Sequence, residues 1–367
     1  MRSAMTRPMA FVQLVGGLCL VVAIGEIGHG SDQVTLTNVG DPGRITADEP
    51  IADTFSAARA AQYLDTASLH WQKTRRCAAC HTNMVYLFAR PALDSVSKDS
   101  GEVRELFEVY VTERWKKAPP KEHQDTVVVP AGLVFHDVQT TGQLAPTTRE
   151  ALKVMWRFQQ EDGGWGWRND GFPPMEYDEH YGVTLAALIT GIAPDGYADT
   201  DEATEGLEKI RAFLKNNPPL SLHHRAMIAW TSCYVGDLMG GPQRATTLDE
   251  LLALQRPNGG WSTPGLLADW EGLKRMDGKP YDTETSDAYA TGFVLVVARE
   301  LGTPADDPRL QRGVDWLLKN QRISGKWYTR STGRDGRHYL SNAGSAFAIL
   351  GLQACGELPG WPLSNTP

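Results

Sequence analysis

Five cysteines in 367 residues are too few to staple the chain as a disulfide scaffold. Cys233 and Cys355 stand alone in apolar helical runs and read as small core residues. No Lys/Arg-rich run stands against an acidic remainder, and the net charge is −8 with a pI near 5.6, so no nucleic-acid partner has an electrostatic footprint here. A second Cys-x-x-Cys is missing, as is any His pair with finger spacing, and a closed structural zinc site cannot be completed. With 41% hydrophobic and 22% charged residues, the remainder has the composition of a globular chain that can bury a sizeable core.

One long uncharged run is present, from Pro8 to Gly25, with Arg2 and Arg7 before it and small-residue cleavage candidates at Ala23-Ile24-Gly25 and Gly28-His29-Gly30. This predicts a secretory signal over 1–30 and an exported protein, in the periplasm or at the cell exterior. An uncleaved N-terminal membrane anchor is the alternative, since ~18 apolar residues lie at the short limit for a span. Leu18 directly before Cys19 fits a lipoprotein signal poorly. The expected order is then a linker over 31–50, one folded unit over 51–355 and a tail over 356–367.

That unit repeats. Gln, Gly four residues later and Trp six later occur at Gln159/Gly163/Trp165, Gln255/Gly259/Trp261 and Gln321/Gly325/Trp327. Each copy closes an amphipathic run and is followed by an apolar, small-residue-rich run, which is one supersecondary unit repeated. The 3.6-residue periodicity predicts six pairs: 55–72 with 83–93, 102–118 with 126–138, 147–160 with 180–193, 202–216 with 220–236, 246–255 with 286–302, and 308–321 with 340–355. First members carry charge on one face. Second members, such as VTLAALITGIA and YATGFVLVVAREL, are apolar on nearly every face and must be buried on both sides. Twelve helices alternating exposed and buried predict a closed ring of six inner and six outer helices, an all-α toroid. Within a copy, Gln is placed to bond orphan helix-end groups, Gly supplies positive φ and Trp packs over the joint.

Gln-x-x-x-Gly-x-Trp behind the Arg312-Gly313-Val314-Asp315-Trp316-Leu317 helix resembles the QW repeat of squalene–hopene cyclases, which is related to repeats of protein prenyltransferase β subunits. The resemblance implies an α6/α6 toroid and covers about 146–355; residues 51–145 match in helix pattern alone. It also implies where cyclase chemistry would sit. Class II cyclases protonate with Asp-x-Asp-Asp at the start of an inner helix, whereas Asp199-Thr200-Asp201-Glu202 precedes an outer helix, and Asp282 to Asp287 is well placed but departs from the motif. The Asp-x-Cys and later His of zinc prenyltransferases are missing.

Cys77-Ala78-Ala79-Cys80-His81 has the spacing of c-type haem attachment, in which two thiols add to the haem vinyl groups and the next imidazole becomes the proximal ligand. This predicts one covalent haem c held by Cys77, Cys80 and His81, with Arg75 and Arg76 placed to neutralise propionates. A Cys77–Cys80 disulfide, a redox dithiol and half a zinc site are the other readings of the same residues. Distal-ligand candidates are His123, His136, His180 and His338; Met84 is too close in sequence to reach the opposite face. A second group gathers at the starts of inner helices: Glu176, Asp178, Glu179, His180, His223, His224, Asp282, Glu284, Asp287 and His338. Asp287, His180 and His338 are the candidate catalytic residues, although each also suits helix capping. The functional expectation is redox or electron transfer with a hydrophobic or small organic ligand and an electron-transfer partner. The alternatives are an isoprenoid-handling enzyme using the rim carboxylates and a non-catalytic binding scaffold, so catalysis itself stays open.

Overall fold

The computed structural model describes residues 33–121 and 123–360; the signal expected over 1–30 and the last residues of the tail lie outside them. The described residues are all-α. Outer helices are α1 (Ala57–Arg75), α3 (Glu102–Val109, continuing through Tyr110–Arg114 and Trp115–Lys117), α5 (Pro146–Arg157), α7 (Asp201–Asn216), α9 (Gly241–Ala253) and α11 (Pro308–Asn320). Inner helices are α2 (Cys80–Met84, Val85–Ala89 and Arg90–Leu93 end to end), α4 (Asp125–Thr140), α6 (Glu179–Ile192), α8 (Leu222–Thr231), α10 (Ala288–Glu300) and α12 (Tyr339–Ala354). The six pairs predicted from periodicity are the six pairs found, with shifts of a few residues at their ends.

Each inner helix packs on the next, from α2 through α4, α6, α8 and α10 to α12, and α12 packs back on α2, so the ring is closed. Val127, Val129, Leu133, Ala186, Leu188, Val294, Ala346 and Ile349 are fully buried along it, as helices covered on both sides require. α10 and α12 approach closely because Gly292 has no side chain: a Cβ there would lie 2.1 Å from the carbonyl oxygen of Phe347.

The outer layer is stitched by the three repeats. Trp165, Trp261 and Trp327 are buried, and each indole Nε1 donates to a carbonyl of its own outer helix, on Met155, Leu251 and Leu317, at 3.0, 2.7 and 2.8 Å. The glutamines reach one helix further. Gln159 Nε2 donates to Gly163 O and to Gly206 O of α7; Gln255 Nε2 donates to Gly259 O and to Arg309 O of α11. Gln321 Nε2 donates to Gly325 O and Ser56 O, and its Oε1 accepts from Ser56 N at 2.7 Å. Ser56 caps α1, so the third copy ties the last outer helix to the first. The glycine is obligatory: Gly325 has φ 94°, and a Cβ on it would lie 2.0 Å from Arg59 O.

Three outer joints lack a staple: α1–α3, where Gln72 Nε2 donates to Glu102 O at 3.1 Å instead, α3–α5 and α7–α9. Between α3 and α5 lies a groove of about 480 Å³, and between α7 and α9 one of about 750 Å³. The stretch expected as a linker is docked over the last staple: Ile323 N donates to Pro50 O, and Lys326 pairs with Glu49.

Candidate functional site

Because outer and inner helices alternate, the starts of all six inner helices share one rim. Three loops, 161–178, 254–287 and 321–338, meet over it. Thr332 Oγ1 donates to Pro173 O, Met276 N donates to Gly333 O at 2.8 Å, Tyr177 packs edge-on to Trp270, and Phe172 packs on Tyr339.

The Cys-x-x-Cys-His motif takes the place that a staple holds in later units. α1 ends at Arg76, whose left-handed backbone (φ 58°) lets its N–H bond Gln72 O and turns the chain inward. Cys77 lies half-buried in that turn, where its carbonyl accepts from Trp71 Nε1 at 3.2 Å. Cys80 opens α2 through a π-type turn and is 1% exposed; His81 is 3% exposed. Both thiols are unbridged.

His81 Nδ1 lies 2.7 Å from Thr82 Oγ1, which also accepts from Asn342 Nδ2, and Asn342 Oδ1 in turn accepts from Tyr63 OH. That line of bonds fixes the ring and leaves Nε2 facing Glu176 Oε1 at 3.9 Å, too far for a hydrogen bond. The same Glu176 oxygen accepts from the Cys80 thiol at 3.1 Å. Tyr339, Trp71 and His338 surround the imidazole with ring centroids 4.2, 4.9 and 5.6 Å away. His338 Nε2 is buried without a hydrogen-bond partner.

Burial sets the protonation states. It pushes the Cys80 thiol well above its ordinary range, helped by the neighbouring Glu176 carboxylate, and raises Cys77 as well. It holds His81 well below the ordinary imidazole range, with His338 adding to the effect. His338 is pushed down to about 4 by burial, with Arg337, Arg75 and His70 contributing. Glu176 is raised by burial, against the opposing hydrogen bond from Cys80. At neutral pH the site therefore holds protonated thiols and two neutral imidazoles.

The remaining candidates, His136 apart, lie on the same rim in other company. His180 Nε2 donates to Asn217 O at 2.8 Å, and its ring stacks on His224 at 4.8 Å. His224 Nδ1 accepts from Leu220 N, and its Nε2 lies 3.2 Å from Asp178 Oδ2. His180 is lowered by burial first and by His224 second. His223 pairs with Tyr289 OH. Asp287 caps α10: Oδ1 accepts from Ala290 N and Thr263 Oγ1, Oδ2 accepts from Thr263 N, and burial still pushes its carboxyl up to about 6. His136 sits in the second half of α4, toward the opposite end of the barrel, bonded to Arg104. His123 packs on Phe158 in the loop before α4.

Among the described residues no group of three or more His, Cys, Asp or Glu is arranged to hold a metal ion. A haem iron asks for less, two thiols for attachment and an axial donor, and Cys77, Cys80 and His81 supply that chemistry with an orphaned His338 Nε2 beside them. Glu176 and Tyr339 lie against His81, so a macrocycle could reach its Nε2 only if loop 161–178 and the start of α12 gave way. Thr82, Trp71 and Tyr339 were not singled out from sequence. Thr82 had a signal, a hydroxyl directly after the motif histidine; Trp71, 10 residues upstream, is brought in by the end of α1, and Tyr339, 258 downstream, only by the closed ring.

No protein-family profile matches the chain. Over 117 residues it is 31% identical to a squalene–hopene cyclase of Schizosaccharomyces japonicus, a stretch that is 30% of this chain and 17% of the cyclase. Among solved structures, a polysaccharide lyase aligns over 82% of this chain and 96% of its own at 11% identity, with a TM-score of 0.47. A type II terpene cyclase from Scytonema, solved with geranylgeranyl dihydroxybenzoate, aligns over 82% and 98% at 10% identity, with a TM-score of 0.43. The likeness in sequence is thus to part of a squalene–hopene cyclase, over 30% of this chain. Among the described residues no helix is long and apolar enough to cross a membrane.

Proposed function

We propose that this chain is an exported α/α toroid carrying one covalent c-type haem at its rim, bound through Cys77 and Cys80 with His81 as axial ligand, and that it works in redox or electron transfer on a hydrophobic or small organic ligand. One observation carries the reading: two unbridged thiols precede, at the attachment spacing, an imidazole whose Nδ1 is engaged by Thr82 while Nε2 is left without a hydrogen bond. Bound there, a haem supplies one-electron chemistry at a potential set by axial donors, burial and surrounding hydrogen bonds. The chain's own residues do the rest. Tyr63, Asn342 and Thr82 orient the imidazole, Trp71 and Tyr339 shield it from water, Arg75 and Arg76 would neutralise propionates, and His338, its ring 5.6 Å from that of His81, would offer its unbonded Nε2 as a second donor.

The test is maturation with an active attachment system. Wild type is expected to gain a Soret band and the mass of one haem; Cys77→Ala with Cys80→Ala loses covalent pigment, and His81→Ala shifts the Soret maximum. A colourless wild type of apoprotein mass overturns the proposal.

The second reading, an isoprenoid-handling enzyme, draws on the 117-residue likeness to a squalene–hopene cyclase. Against it, the best-placed carboxylate, Asp287, has both oxygens engaged in capping and loop bonds.

A further inference from the structure

The chain is acidic overall, yet two separated stretches converge into a basic surface beside Cys77. Arg114, late in α3, donates to the carbonyl of Arg76 at 3.0 Å, which joins Lys73, Arg75 and Arg76 to Arg114, Lys116, Lys117 and Lys121. Over 73–81 and 113–125 there are seven basic side chains against three acidic ones, a local balance of +4 in a molecule of −8. Neither stretch is long enough to read as a basic run; the ring makes the patch.

The patch runs into the unstapled joint between α3 and α5. No glutamine or tryptophan bridges that joint, and the groove left there has an apolar floor of Trp115, Pro119, Pro120 and Phe158. Lys116, Lys117 and Arg157 edge it, and Glu150 is the acidic lining residue. Arg157, Lys116 and Lys117 are exposed, and Lys117 pairs with Glu113 at 3.3 Å, a weak surface contact. An apolar floor with a cationic edge matches a segment that offers an aromatic anchor among carboxylates. A bilayer fits less well, because none of the exposed large hydrophobic residues, Ile51, Val96, Leu220, Leu254, Met276 and Ile323, belongs to this face.

We propose that the α3–α5 groove and the basic surface beside Cys77 dock an acidic, aromatic-bearing segment of a partner protein. Docked there, the partner lies against the motif-bearing rim. This inference stands on charge and shape and does not require that haem be attached.

The probe is a fluorescein-labelled peptide with one Trp in a run of Glu, titrated into the full mature chain, pigmented or colourless, at low and at physiological salt. The triple variant Lys116→Glu, Lys117→Glu and Arg157→Glu is expected to weaken binding about tenfold or more. A charge-matched control, Lys98→Glu, Lys274→Glu and Lys319→Glu, separates the groove from net charge. Trp115→Ala should weaken the peptide without changing its salt dependence. Equal loss in the groove and control triples overturns the proposal, as does a wild type that prefers vesicles of phosphatidylglycerol and phosphatidylcholine to the peptide. Near-UV and far-UV circular dichroism of each variant shows that the fold is retained.

Discussion

Replacing Gln321 by Met keeps the side-chain volume and removes the three bonds that tie α11 to the cap of α1. Ser56 N, Ser56 O and Gly325 O lose their partner, and Gln321 is 1% exposed, so water does not replace it freely. A buried group left unpaired costs ~1–3 kcal/mol, which over three groups in partly wet surroundings comes to about 3–5 kcal/mol. Gln159 and Gln255 are half-buried, and each donates two backbone bonds, so their Met variants should lose about 1–2 kcal/mol. Urea unfolding at constant m measures all three. The expected order is Gln321 well above the other two, with early proteolysis near 51–57 in the Gln321 variant alone. Equal losses across the three, or a Gln321 variant within about 1 kcal/mol of wild type, would refute the view that the third copy closes the ring.

Two other perturbations follow from the same geometry. Trp165→Ala, Trp261→Ala and Trp327→Ala each remove a buried indole and its bond to a helix carbonyl, and each should cost ~3–5 kcal/mol by chemical denaturation; a variant that unfolds like wild type contradicts the stapling role at that position. Burial raises Asp287 to about 6 from an ordinary 3.8, so the folded chain holds that proton more tightly than the unfolded one. Its contribution is full below about 4 and is lost as pH rises through about 6, amounting to about 3 kcal/mol. The stability difference between wild type and Asp287→Asn should therefore slope across that window and flatten outside it; a difference independent of pH rejects the assignment.

The helices were legible because their burial is periodic: VTLAALITGIA can only be covered on both sides, and it became α6. The staples were legible in part. That Trp165 would cover a joint follows from its type, but the second bond of Gln321 reaches Ser56, 265 residues away, and no local pattern announces it. The rim was foreseen as an end of the barrel, whereas its contacts depend on long loops whose paths are set by single bonds such as Thr332 to Pro173. For that reason Glu176, one acid in a run of acids by sequence, stands between Cys80 and His81 in the fold, while Asp287, the best-placed acid by sequence, is taken up in capping.

The closure of the ring also orders events in time. α1 and the Cys77 turn are made first, but the groups that cover Cys80 and His81 come later: Glu176 from mid-chain, then His338, Tyr339 and Asn342 near the end. A chain that folds while it emerges cannot seat Gln321 on Ser56 until nearly everything has been delivered. Until then the motif is open to any enzyme or cofactor that meets it, and afterwards it is enclosed. Whatever chemistry is done on those thiols has a deadline, and the length of chain still to come sets it.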